Sequence, residues 1–115
     1  MESKAPRLRP GSPVRGSRTG RPIMVALDLL GRRSALRILW ELREGPPLTF
    51  RALQQAAETN PSLLSTRLGE LRGAGIVIHD GKGYVLTPPG QELLAALAPL
   101  AGWADKWASP PQSRG

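Results

Sequence analysis

The chain has 115 residues and a formal charge of +7, from 16 Lys or Arg against nine Asp or Glu, with no cysteine and a single histidine. That length suggests one small domain. The missing cysteine excludes disulfides, thiol redox sensing and Cys-ligated zinc, and His79 alone leaves neither a histidine metal cluster nor a Ser-His-Asp triad.

The charge is uneven. Residues 1–22 carry Lys4, Arg7, Arg9, Arg15, Arg18 and Arg21 against Glu2, a net +5, leaving +2 on the remaining 93 residues. This segment also holds four prolines, three glycines and only Leu8 and Val14 as strong apolar residues after the first Met. It cannot bury enough apolar surface to offset its ordering entropy, so residues 1–22 read as a disordered basic tail. A basic arm on a nearly balanced domain points to a polyanionic partner, or else to a solubilising tail. The tail has no apolar signal-peptide core, and its Pro and Gly residues argue against a transit helix.

Beyond the tail the apolar residues become periodic. Ile23, Ala26, Leu27 and Leu30 make one helical stripe ending near Gly31; Ala35, Ile38, Leu39 and Leu42 make a second, stopped by Gly45 and Pro46. Trp40 shares a stripe with Leu36, as core or as interface. Thr49 caps a third helix in which Phe50, Leu53 and Ala57 share a face, after a short strand at 47–48. Asn60 and Pro61 open a fourth helix, which Gly75 closes. "IVIHDGKGYVLT" then reads as a hairpin around residues 80–83, and Thr87 with Pro88 opens a last helix towards Trp107. The order describes a mainly α fold with a small β-hairpin wing, a winged helix-turn-helix. Its domain is expected over 23–108, with 109–115 a disordered end.

The fourth helix carries the most information. On a wheel of about 100° per residue, Leu64, Leu68 and Leu71 face the core. Ser62, Ser65, Thr66, Gly69 and Gly73 lie opposite, with Arg72 at one edge and Arg67 and Glu70 on the flank. Small hydroxyl side chains let a helix backbone sink into the DNA major groove and reach base edges and phosphates. The same residues also make a small-residue seam for packing against another helix. Thr49 and Arg51 at the start of the third helix, and Lys82 at the hairpin tip, are suited to phosphates and favour DNA. Each helical glycine costs roughly 1 kcal/mol relative to alanine, so Gly69 and Gly73 reflect either close approach of a partner or a tolerant surface.

In the last helix Leu93, Leu97, Leu100, Ala104 and Trp107 recur at four-three spacing, with Trp103 one turn from Trp107, a pattern that packs along another helix. Two indoles near a terminus are hard to bury in so small a domain, which favours a homodimer over intramolecular packing. Pro99 should kink or split this helix. The longest uncharged apolar-rich run, residues 93–104, is too short to span a bilayer. A cytoplasmic protein with no membrane partner follows.

Taken together, "ALDLLGRRSALRILWELREGP", "LTFRALQQA", "NPSLLSTRLGELRGAGIV" and "YVLTPPGQELLAAL", in this order and spacing, resemble the HxlR-type winged-helix transcriptional regulators, a branch related to the MarR type. The resemblance covers about residues 22–107. It implies a dimeric DNA-binding regulator whose recognition helix is residues 61–74, with Ser62, Ser65, Thr66 and Arg67 facing the groove and Lys82 on the wing. The chain departs from that pattern in three places. "RPIMV" stands where a cysteine usually precedes the first helix, "HDGKG" is a short wing, and Gly69 replaces a common basic residue. Thiol sensing is thereby excluded, wing readout is reduced, and part of the DNA affinity shifts to the tail. There "TGRP" is either a minor-groove hook or an Arg in a linker.

The expected function is therefore sequence-specific binding of double-stranded DNA by a homodimer through Ser62, Ser65, Thr66, Arg67, Arg72, Thr49, Arg51 and Lys82. Leu93, Leu97, Leu100, Trp103 and Trp107 form its dimer interface. The alternative is a winged-helix protein–protein module with no specific DNA binding. No catalytic constellation is present, so no enzyme, cofactor or metal is expected. A small-molecule effector is compatible with the class.

Overall fold

The computed structural model describes Pro10 and residues 20–110, so the tail segments assigned to 1–22 and 109–115 fall largely outside the described residues. The chain forms α1 (Pro22–Leu30), α2 (Ala35–Glu41), α3 (Phe50–Ala56) and α4 (Pro61–Gly73). The strands β1 (Val77–His79) and β2 (Tyr84–Leu86) follow, then α5 (Pro88–Leu97) and α6 (Pro99–Ala108). The starts of α3, α4 and α5 are set by the side chains expected to set them. Thr49 Oγ1 accepts the Ala52 N–H at 3.1 Å, Asn60 Oδ1 accepts that of Leu63 at 2.8 Å, and Thr87 Oγ1 accepts that of Gly90 at 3.1 Å. At the end of α4, Gly75 adopts φ +79. Its N–H reaches the Arg72 carbonyl at 3.0 Å while that of Ile76 reaches Leu71 at 2.9 Å. This paired closure uses up two carbonyls that the helix end would otherwise leave without donors.

The core is a single cluster. Ile38 and Leu39 of α2, Leu53 of α3, Leu64 and Leu71 of α4 and Val77 of β1 are fully buried, with Leu42, Ala57, Leu68 and Leu86 around them. Each such aliphatic side chain contributes about 1.5–3 kcal/mol of transfer free energy, so three leucines on one face hold α4 firmly against the body. The stripes expected on α2, α3 and α4 are the buried ones.

α1 differs. Val25 and Leu29 enter the core, whereas Ile23 and Leu27, expected on the buried stripe, are 58% and 54% exposed. The sequence of α1, PIMVALDLL, is apolar on nearly every side, so periodicity could not say which side packs inward.

The hairpin is antiparallel, pairing Val77 with Leu86, Ile78 with Val85 and His79 with Tyr84. Leu48 adds a third, one-residue bridge, exchanging bonds with Tyr84 at 3.2 and 2.7 Å, where a short strand was expected. Gly83 makes this possible: a Cβ there would lie 2.6 Å from the Leu48 carbonyl oxygen. The wing is thereby tied directly to the segment that leads into α3.

Pro99 splits the last helix. Ala98 keeps helical angles (φ −54, ψ −39), and α6 sets off without any buried residue. Trp103 and Trp107 stack with centroids 5.3 Å apart and remain 56% and 74% exposed. No described helix is long and apolar enough to cross a membrane.

Candidate nucleic-acid interface

α3, a four-residue turn and α4 form a helix-turn-helix unit. Glu58 takes φ +53 in the turn, and Asn60 then caps α4. With Leu64, Leu68 and Leu71 buried, the opposite side of α4 is left to solvent. Ser62, Ser65, Thr66 and Gly69 are all exposed there, and a Cβ on Gly69 would meet nothing within 4 Å. No described element packs over these residues, so within the single chain they are not a seam between helices.

The two flanks of α4 meet different neighbours. On one, Arg72 lies with its guanidinium carbon 6.0 Å from the centroid of the Tyr84 ring, which places the wing beside it. Lys82 at the wing tip is exposed. The tip is braced by Asp80, whose Oδ1 accepts the N–H groups of Lys82 at 2.8 Å and Gly83 at 3.1 Å. Those backbone donors, Lys82 first, hold the Asp80 carboxyl below its ordinary pKa, helped by the charges of His79 and Lys82. Thr49 is exposed but already engaged as a cap, with its hydroxyl proton still available, and Arg51 is exposed on the first turn of α3.

On the other flank the structure corrects one residue. Arg67, expected to face the groove, is turned back onto the protein. Its Nε–H donates to the Arg33 carbonyl at 2.7 Å, and one terminal nitrogen bonds the Glu70 carboxylate at 3.2 Å. Its side chain is only 15% exposed. Glu70 in turn holds Arg32 at 2.9 Å, and Arg32 holds Asp28 at 2.8 Å. A chain of four half-buried charges thus joins α1, the α1–α2 junction and α4. The Asp28–Arg32 pair is local, four residues apart across the end of α1. The bond from Arg32 to Glu70, 38 positions away, left no mark in the sequence.

Comparison with known proteins settles the class. No protein-family model matches the chain. An uncharacterized HTH-type transcriptional regulator of Methanocaldococcus jannaschii, MJ0925, is 31% identical over 84 residues, covering 69% of this chain and 78% of that protein. The chain belongs to the HTH-type transcriptional regulators. The crystal structure of quinone-bound YodB from Bacillus subtilis superposes on this regulator with a TM-score of 0.66 and 30% identity. That match covers 74% of this chain and 96% of that one. The fold is a winged helix, and the HTH-type regulator is a DNA-binding protein from a family of regulators rather than enzymes.

Proposed function

We propose that this regulator is of the HxlR type and binds double-stranded DNA sequence-specifically as a homodimer, inserting α4 into the major groove. One observation carries the reading. The face of α4 opposite its three buried leucines is exposed, small and hydroxyl-bearing, and no described part of the chain covers it. Ser62, Ser65 and Thr66 would contact base edges, and Arg72, Thr49, Arg51 and Lys82 the sugar–phosphate strands, while Arg67 positions the helix from within.

A single recognition helix reads only a few base pairs, too few to select one genomic site, and two-fold symmetry doubles the readout. Leu97, Leu100, Trp103 and Trp107 along α5 and α6 supply the dimer surface in this reading, whereas Leu93, expected with them, is half-buried and packs against the core of its own chain. Beside them Leu36 and Trp40 of α2 are exposed and help to line an apolar groove of about 260 Å³ with Leu94, Leu97 and Leu100. These two α2 residues, ambiguous in the sequence, are therefore surface rather than core. In the same reading the organisation is a basic tail over 1–22, a winged-helix domain over 23–108 and a short end over 109–115.

The test is selection of preferred duplexes from a random-sequence pool. Ser65→Ala and Thr66→Ala should blur the preference by about 1–3 kcal/mol per lost base contact. If both variants select the same sequences as sharply as the parent, α4 is not the reading surface. The protein–protein alternative would be favoured by a parent that shows no preference among duplexes.

A further inference from the structure

A helix lying in the major groove has a sugar–phosphate strand on either side of it. On the wing side of α4 cations are plentiful: Arg72 beside Tyr84, exposed Lys82 at the tip, and exposed Arg51 shortly after the Leu48–Tyr84 bridge. On the opposite flank the helix offers only Arg67, and its guanidinium is held by the Arg33 carbonyl and Glu70. Arg32, next along the junction, is held by Asp28 and Glu70. Once both are discounted, a DNA strand on that flank would meet no cation from either residue.

Arg33 fills this gap. It is exposed and enters no ion pair among the described residues. Its backbone is nevertheless fixed against α4 by the 2.7 Å bond from Arg67, with Arg32 clamped on one side of it. On the other side Ser34 takes φ +69, a sharp and uncommon turn for a non-glycine residue. A free guanidinium on an anchored backbone suits phosphate, which it can bond through two N–H groups at once. We propose that Arg33 is a phosphate contact for the DNA strand on the flank opposite the wing, so that cations on both sides bracket α4. The proposal rests on the DNA-binding reading above and adds a residue to it.

The full chain, bound to a duplex selected by the parent protein, provides the test. Binding is measured from low to high salt for the parent, Arg33→Ala, Arg33→Lys and Lys82→Ala. Arg33→Ala should lower the log–log salt slope by about 0.9 per bound copy and weaken all duplexes alike, while Arg33→Lys keeps the slope. Its melting temperature should stay that of the parent, because the backbone carbonyl, not the side chain, receives Arg67. Phosphate-ethylation interference should show the signals lost in Arg33→Ala and Lys82→Ala on opposite strands of a half-site. An unchanged slope in Arg33→Ala, with parental base preference intact, overturns this proposal alone, as do lost signals on the same strand as those of Lys82→Ala. A parent protein that binds no duplex overturns the DNA-binding reading and this inference with it.

Discussion

Replacing Glu70 with alanine removes the carboxylate shared by Arg32 and Arg67. Its two oxygens accept from those guanidiniums at 2.9 and 3.2 Å, and the Glu70 side chain is 14% exposed. A hydrogen bond to a charged group contributes about 1.5–3 kcal/mol net, and two are lost. The loss is softened because Arg32 keeps Asp28 and Arg67 keeps the Arg33 carbonyl. Water also reaches the more exposed of the two arginines, so the expected destabilisation is about 2 kcal/mol. For a domain of this size that lowers the melting temperature by roughly 10 °C. Glu44→Ala is the internal control. Glu44 pairs with Arg43 at 3.6 Å and is 80% exposed, so its removal should cost under about 0.5 kcal/mol. Thermal unfolding followed by far-UV circular dichroism reads both. If Glu70→Ala melts within about 2 °C of the parent, or no lower than Glu44→Ala, the charge chain does not hold α4 to the α1–α2 junction.

Gly69→Ala should raise stability by up to about 1 kcal/mol, since the added methyl meets nothing. If the same variant binds its duplex less tightly, the glycine serves close approach; undiminished binding marks a tolerant surface. Gly83→Ala should detach the wing from Leu48, read as lost amide protection at Tyr84 in hydrogen exchange, because the Cβ would overlap backbone atoms. Truncating Trp103 and Trp107 to alanine together should shift sedimentation towards monomer and weaken palindromic sites, with half-sites about 34 Å apart, far more than single half-sites. A parent that sediments as a monomer at tens of micromolar removes the dimer from the model. Deleting residues 2–19 should flatten the salt dependence without changing base preference, and an intact slope would reduce the tail to a solubiliser. Asp80, with its lowered pKa, braces the wing tip fully above the ordinary carboxylate range. That support should fade as pH falls below the usual 3.8, seen as NMR shift changes at Lys82 and Gly83.

Most of the fold was legible because its signals are local. Caps at Thr49, Asn60 and Thr87, glycine at 75 and the leucine spacing of α4 each depend on neighbours within a turn or two. The exposed hydroxyl face of α4 was legible for the same reason. The faces of α1 were not, because a helix apolar all round carries no direction. The role of Arg67 was hidden too. Its spacing on the helix predicts a flank position, but whether a flanking arginine reaches outward or back depends on what the fold brings near. Here that is a carbonyl 34 residues earlier and a glutamate already holding Arg32. Long-range pairs of this kind arise from tertiary placement and leave no period to count.

The break at Ala98 and Pro99 has a consequence for how this chain tolerates change. No residue of α6 is buried, so the winged body closes its core without that helix. Substitutions beyond Pro99 are therefore insulated from the packing that positions α4, and the reverse also holds. Changes in the C-terminal helix should leave the fold around α4 intact. If α6 carries the proposed dimer contact and α4 the proposed DNA contact, the two can change separately within one chain.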